Sequence, residues 1–390
     1  MSVTTQVQKH EESGLNAAKP EFAGKALAQS MLVVVAFLVG FGLIAIYASS
    51  ALKGAQEYSD PFFFFKKQAV AAALGFTIVG LIQIIPFKWI ERATVPFFLF
   101  TLFLLLLIYI PGMYVKVKGA ERWLNIPYFG GQPAEITKLA LVLFLAKNLS
   151  RPNFKLGHFF SGLLPNFLIL GLFSLLLFRQ RDLGTPVMLL GLTMLMLYVA
   201  GLSHKFIAGV AGIGACGVAA AIAVEPFRMR RILSFLDPWS QVQEGGFQII
   251  QSFVAFQNGG LLGVGLGESK QKLLFLPEAH TDFILPVIGE ELGFMGVSLI
   301  VCMFLFMGWV GFKIVSVQKN DYRKFLSFGL VTALLAQAVG NIGVTMGVFP
   351  TKGMPLPFIS SGRSSLLVSL VMAALIIKVA RECQGESAKE

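Results

Sequence analysis

Charge is what this chain has least of: 14% of its 390 residues are Asp, Glu, Lys or Arg, while 55% are hydrophobic. Soluble domains carry ~25% charged and ~45–50% apolar residues, so an ordinary soluble protein is excluded. Cysteine is scarce as well. Cys216, Cys302 and Cys383 show no paired or CxxC spacing, which excludes a disulfide framework and a thiolate metal cluster. Polar linkers and low-complexity tracts are missing, so a single domain is expected. No internal repeat is visible, which counts against transporter folds built from inverted repeats. The glycines Gly259, Gly260, Gly263, Gly265 and Gly267 lack the GxGxxG spacing and βαβ context of a nucleotide loop. Bends in a loop lying on a membrane surface account for them.

Long apolar runs are what the chain has in quantity. They lie at 30–49, 68–87, 93–111, 160–178, 184–202, 204–226, 283–311, 325–348 and 364–380, and ~20 apolar residues suffice to cross ~30 Å as a helix. A tenth run, 134–149, is short and carries Glu135 and Lys138; counting it lets its neighbours alternate sides. The expected fold is all-α: a polytopic membrane protein of about ten transmembrane helices, with a long loop between helices 7 and 8. A polar tail (1–28), a helical domain (29–381) and a short tail (382–390) divide the chain. The apolar run after Lys25 exceeds the ~7–15 residues of a cleavable signal core, so it should remain as an anchor.

With both termini cytoplasmic, sixteen Lys/Arg fall inside and fifteen outside; setting aside the 56-residue loop 227–282 leaves sixteen against ten. Short loops set orientation, and this balance favours both termini inside. Ten outward charges in short loops still need a reason, and an anionic substrate supplies one. Three outward loops, 112–133, 227–282 and 349–363, are long and rich in Gly and Pro, and such loops tend to be functional or disordered.

Several polar residues stand where burial is costly. Asp282 lies at the mouth of an apolar helix, where it can act as a general base or, with Thr281, as a helix cap. His280 lacks companion ligands and is expected to be a loop histidine. Glu290 and Glu291 lie about 12 Å deeper. Adjacent carboxylates point in different directions, so one is expected to face the bundle interior, as a structural partner or in a catalytic part. Glu135 and Lys138, three apart on one helix face, suggest a salt bridge in preference to a proton relay. Ala208, Gly212, Cys216 and Ala220 form a small-residue stripe that lets another helix approach. Gln337, Asn341 and Thr345 form a polar stripe facing a partner helix or a wet cavity.

The outward basic residues Lys116, Lys118, Arg122, Arg179, Arg181, Arg228, Arg230, Arg231, Lys270, Lys272, Lys352 and Arg363 come from five loop edges. Guanidinium groups pair with phosphate oxygens, so a diphosphate site is one reading. Attraction to anionic lipid headgroups is the other.

Five stretches in order along the chain carry a resemblance: GAERWLNIPYFGGQPAEITKLALVLFLA (119–146), QRDLGTPVML (180–189), RRILSFLDPW (230–239), GGFQIIQSFVAFQNGGLLGVGLGESKQKLLFLPEAHTDFI (245–284) and FPTKGMPLPFISSGRSSL (349–366). They resemble the signatures of the SEDS family (shape, elongation, division and sporulation). EAHTDF and TKG are closer to the division-type branch, FtsW, than to the elongation-type RodA. The resemblance implies a peptidoglycan glycosyltransferase that joins lipid II units by β-1,4 linkage on the outer face of the bacterial cytoplasmic membrane and releases undecaprenyl diphosphate, in septal wall synthesis. It implies a class B penicillin-binding protein and other divisome membrane proteins as partners. No nucleic acid is expected. A divalent cation, Mg²⁺ or Mn²⁺, is compatible with such chemistry but not required by it.

By this resemblance the family's catalytic aspartate falls on Asp282, and the acidic and basic residues of its QPSE-x-x-K type motif on Glu135 and Lys138. Lys352 and Arg231 lie in matching motifs and are the first choices for the leaving diphosphate; Arg122, Lys272, Ser360 and Ser364 complete the expected substrate contacts. The chain departs from the family at Arg181, at Leu285 and Pro286, and at Ser361 and Arg363, where Pro, Phe and Ala, and Tyr and Gly are usual. Two rival classes, a lipid II flippase and a non-catalytic scaffold, would tolerate loss of Asp282.

Overall fold

The computed structural model describes residues 19–117, 120–125, 131–152, 154, 159–180, 182–242, 246–273 and 276–387. Arg181 and Lys118 therefore lie outside the described residues, as do most of the N-terminal tail and the side chains of Lys116 and Cys383.

Ten helices run through one bundle: α1 (Lys19–Tyr58), α2 (Phe63–Ile84), α3 (Phe87–Leu107), α4 (Pro133–Leu149), α5 (Leu164–Arg179), α6 (Gly184–Val199), α7 (His204–Val224), α10 (Ile284–Ser316), α11 (Asp321–Thr345) and α12 (Arg363–Ser387). Seven of them are long and apolar enough to cross a membrane, and α5 and α6 are shorter apolar helices. The chain is a multi-pass membrane protein. The connections between α3 and α4, α5 and α6, α7 and α10, and α11 and α12 share one end, called here the loop-rich end; the segments leading to both chain termini lie at the other. The loop-rich end carries a hairpin of β1 (Tyr114–Val117) and β2 (Ala120–Leu124), and two further helices, α8 (Pro226–Leu236) and α9 (Gly246–Gly259). The loop 227–282 is thus largely helical, because its FRMRRILSFL and FQIIQSFVAF stretches are amphipathic.

Helix α1 is 40 residues long, about 60 Å, twice the apolar thickness of a bilayer. Its apolar run ends near residue 49, but good helix formers continue it to Tyr58. Helix α4 lies at the centre, against α3, α5, α6, α11 and α12, and nearly every residue it has is buried. That explains a run too short and too charged to face lipid: it faces protein.

Close packing is concentrated where glycine removes a side chain. Gly42 of α1 lets the backbone of Ile359 come so near that a Cβ would stand 2.7 Å from its Cα. Helix α7 is the opposite case. It makes its main contacts with α6 and α8 and has no buried residue. Ala208, Gly212, Cys216 and Ala220 are exposed, so the expected helix-to-helix approach along this stripe is not made among the described residues.

Helix α10 is broken at Gly293, whose φ of 66° and ψ of −163° lie in a region only glycine adopts readily. The break leaves four backbone groups without helical partners, and the glycine-rich loop after α9 supplies them. The carbonyls of Glu290 and Glu291 accept from Val264 N and Gly265 N, both at 3.0 Å, and Phe294 N and Met295 N donate to the carbonyls of Gly260 and Leu261. Gly260, Gly263, Gly265 and Gly267 all have positive φ. The glycines therefore shape a loop that completes a broken helix, which is more specific than bends on a surface.

Candidate active site

Between α11 and α12 the chain does not stay outside the bundle. Leu356, Phe358 and Ile359 are fully buried, so the segment 349–362 re-enters the protein. Irregular backbone at such depth is tolerated only when its polar groups are satisfied by protein. The polar stripe of α11 does this. Gln337 Nε2 donates to the Pro355 carbonyl at 2.8 Å, and Asn341 Nδ2 to the Met354 carbonyl at 2.6 Å and the Asp282 carbonyl at 2.8 Å. Gln68 of α2 donates to the Ser360 carbonyl and accepts from Gly362 N, each at 3.2 Å. Two members of the stripe thus serve the re-entrant loop, and Gln337 also meets the expected partner helices, at Lys138 of α4 and Ser365 of α12, while Thr345 bonds back to Ile342 of its own helix.

The same loop is tied to the segment before α10. Ser360 Oγ donates to the Thr281 carbonyl at 2.6 Å and accepts from Leu356 N at 2.8 Å, and Ser361 N donates to the His280 carbonyl at 2.9 Å. Asp282 is held at its own carbonyl by Asn341, and Gly353 lies so close that a Cβ there would stand 2.7 Å from Oδ2 of the carboxylate. The residue in the cap position of α10 is Phe283, so the capping alternative for Asp282 gives way to a half-buried carboxylate against the re-entrant loop.

Beside it opens a cavity of about 510 Å³ between α6, α7, α8 and α11, whose charged lining residues are Arg122, Asp182, Glu225, Arg228, Arg231 and Lys352. Asp182, before α6, is buried; Thr185 donates to it from N at 3.2 Å and from Oγ1 at 2.7 Å. Burial alone raises its carboxyl, but the charges of Lys352 and Arg122 and the Thr185 hydrogen bonds outweigh burial and hold it below its ordinary value. Lys352 Nζ reaches Thr185 Oγ1 at 3.5 Å. Burial pushes its ammonium down to about 8, with Lys138 and Arg122 acting in the same direction and Asp182 and Glu135 opposing. Its outline is only partly covered because one side faces the cavity. Gly184 provides its room: a Cβ there would overlap the lysine methylenes and stand 2.6 Å from Nζ.

Arg231 joins the two carboxylates. Burial and Arg122 lower it, while Asp182 and Asp282 both act to raise it; an arginine stays charged regardless. Its Nη1 donates to the Thr351 carbonyl at 3.3 Å, and Arg122 Nε to the Gln180 carbonyl at 3.2 Å. Two aspartates and three cations thus converge from five chain segments.

Other expected contacts are placed elsewhere. Lys272 pairs with Glu291 Oε1 at 2.9 Å and donates to the Gly267 carbonyl, away from the cavity, because the completed break of α10 brings its loop onto that carboxylate. Glu290 accepts from Asn258 Nδ2 at 3.2 Å, Gln271 N at 3.1 Å and Ser269 Oγ. Both glutamates are buried structural partners. Ser360 is a loop tie, and Ser364 Oγ accepts from Gln132 N at 3.3 Å; neither lines the cavity. Glu135 and Lys138 pair at 2.7 Å, and Lys138 also donates to Gln337 Oε1. Arg363, the first residue of α12, is exposed and lies near Lys67 of α2. Asp182 carries no signal beyond its motif match; nothing local in the sequence shows that Lys352 will reach it.

The chain matches the model of the cell cycle protein family named for FtsW, RodA and SpoVE over residues 28–385. It is 40% identical over 355 residues to a probable peptidoglycan glycosyltransferase FtsW of Geobacter sp. (strain M18), covering 91% of this chain and 97% of that one. Stage V sporulation protein E of Bacillus subtilis (strain 168) is 36% identical over 353 residues, 90% of this chain and 96% of its own. Among solved structures, a chain of a peptidoglycan synthase complex that coordinates polymerization and crosslinking superposes with a TM-score of 0.73 at 29% identity, covering 90% and 97%. The RodA of Thermus thermophilus has the same fold, with a TM-score of 0.66 at 24% identity, covering 90% and 96%. With a match across the bundle, the re-entrant loop and the cavity, the chain belongs to the FtsW/RodA/SpoVE family, the SEDS proteins.

Proposed function

We propose that the protein is a peptidoglycan glycosyltransferase that polymerises lipid II, with the loop-rich end on the outer face of the membrane and both termini in the cytoplasm. The observation that carries this reading is an apolar cavity lined by Arg231, Lys352 and Arg122, with Asp282, a half-buried carboxylate, within electrostatic reach of Arg231. A lipid-linked sugar diphosphate has the matching parts: a neutral sugar, an anion and an apolar tail.

In the reaction, Asp282 takes the proton from the acceptor GlcNAc 4-hydroxyl as that oxygen attacks the donor's anomeric carbon. The new C–O bond forms with inversion as the bond to the diphosphate oxygen breaks. Negative charge grows on the leaving group. Lys352 and Arg231, fixed in place before reaction, stabilise it, and such preorganised charge is a large catalytic term. The first part of the lipid tail follows the apolar wall of α6 and α11 and the rest stays in the bilayer. Among the described residues no group of three His, Cys, Asp or Glu side chains has metal-ligand spacing, and Asp182 already faces Lys352 and Arg122. No step is routed through a metal. A class B penicillin-binding protein is the partner that would cross-link the product.

The test is polymerisation of lipid II by the purified protein, with and without its transpeptidase. Asp282→Asn should lower the rate ~100- to 10,000-fold, the usual cost of losing a general base, with insertion and folding kept. Near-normal polymer from that variant would refute Asp282 as the base, and no polymer from the parent would leave the flippase and scaffold readings standing instead.

A further inference from the structure

An exposed glycine beside a catalytic carboxylate needs an explanation. Gly353 is exposed and is not among the glycines with positive φ, so its backbone conformation does not demand glycine. Space does. A Cβ at this position would stand 2.7 Å from Asp282 Oδ2 and 3.6 Å from its Cγ, and the nearer of these is a distance real Cβ atoms essentially never show.

Something would then have to move, and most of the surroundings are tied. The Met354 carbonyl is held by Asn341 and the Pro355 carbonyl by Gln337, and the Thr351 carbonyl accepts from Arg231. The loop is thus fixed on both sides of Gly353. The Asp282 backbone is fixed by the same Asn341. The atom that a Cβ would meet is the far end of the Asp282 side chain, which turns on two torsions, so the carboxylate is what gives way.

We infer that Gly353 is a positioning residue for the glycosyl transfer: its missing side chain leaves the place in which the Asp282 carboxylate stands to meet the acceptor hydroxyl. This rests on the general-base reading above. Substitution should therefore act on rate more than on binding or stability. A misplacement near 1 Å costs up to ~100-fold in rate.

The experiment compares the full-length protein, in nanodiscs with its transpeptidase partner and lipid II as substrate, in four forms: parent, Gly353→Ala, Gly362→Ala and Asp282→Asn. Gly362 is the control. It lies in the same loop, and a Cβ there meets Ser365 at an ordinary 3.7 Å. Rates are taken per folded, monodisperse protein. Gly353→Ala should lower kcat about 10- to 100-fold, with KM within about threefold and the thermal midpoint near that of the parent, while Gly362→Ala keeps the parental rate. A parental kcat in Gly353→Ala alongside an inactive Asp282→Asn overturns the inference and leaves the base in place. Equal losses in both alanine variants overturn it in favour of general loop damage. An active Asp282→Asn overturns the general-base reading and this inference with it.

Discussion

Glu135 and Lys138 offer a measurable charge cycle at the centre of the bundle. Their side chains are 11% and 5% exposed and their charged atoms are 2.7 Å apart. At that distance the attraction is about 6 kcal/mol in an effective dielectric of ~20, most of it offset by the cost of taking both charges out of water. Truncating one partner strands the other, at about 3–5 kcal/mol. The two single variants should not be equal. Lys352 lies within electrostatic reach of both residues, so Glu135→Ala leaves two cations near each other, whereas Lys138→Ala leaves a carboxylate with Lys352 still nearby. Glu135→Ala should therefore fall at the upper end of the range and Lys138→Ala at the lower. The double replacement strands no charge and should lose less than Glu135→Ala alone, giving a coupling energy above about 3 kcal/mol. Unfolding in mixed micelles, titrated with denaturing detergent, measures all four corners. Losses that add within about 0.5 kcal/mol, the behaviour of independent sites, would refute the pair. Because Lys138 also donates to Gln337, which holds the Pro355 carbonyl, Lys138→Ala should lower polymerisation as well as stability.

Other consequences follow from the same geometry. Lys352, with its pKa near 8, loses its charge as pH rises through that value, so kcat/KM for lipid II should fall on the alkaline side near pH 8. Lys352→Arg stays charged throughout and should lose that limb; an unchanged limb would assign it to another group. Arg363→Gly should leave the apparent lipid II affinity within about threefold, because Arg363 stands beside Lys67 and outside the cavity lining, and long side chains of this kind reach headgroups from the rim. A clear weakening would place Arg363 at the diphosphate. Gly293→Ala forces a side chain into a glycine-only conformation and to 2.5 Å from the Leu261 carbonyl oxygen. Strain of this kind costs about 1–3 kcal/mol, and limited proteolysis should show earlier cleavage between residues 260 and 272 than in the parent.

The transmembrane plan was legible because it depends on composition over long windows: ten apolar runs produce ten helices, and only their ends moved. Runs ended earlier than helices at Tyr58 and Ser316: after residue 49 Ala, Lys, Glu and Gln carry the helix on where hydrophobicity stops, and after 311 Lys313 interrupts the apolar run but not the helix. The charge pair of α4 was legible too, because i,i+3 spacing is a local property. Asp282 stood out by its place at a helix mouth, but whether it capped that helix was undecided, as both roles share the same local pattern.

Contacts between distant segments could not be read that way. That Lys352 comes within electrostatic reach of Asp182, that Gly184 and Gly353 clear space for two charged side chains, and that Gln337 and Asn341 hold a re-entrant loop all depend on segments far apart in the chain. Lys272 and Lys352 are equally basic residues in equally plausible motifs, yet one is drawn onto Glu291 by the break at Gly293 and the other into the cavity. The sequence by itself determined a membrane-embedded helical bundle and its family, and singled out the carboxylate proposed here as the base, since hydropathy and motif spacing are properties of single segments. The tertiary structure alone decided which cations face that carboxylate, because a side chain's partner is set by where its backbone is carried.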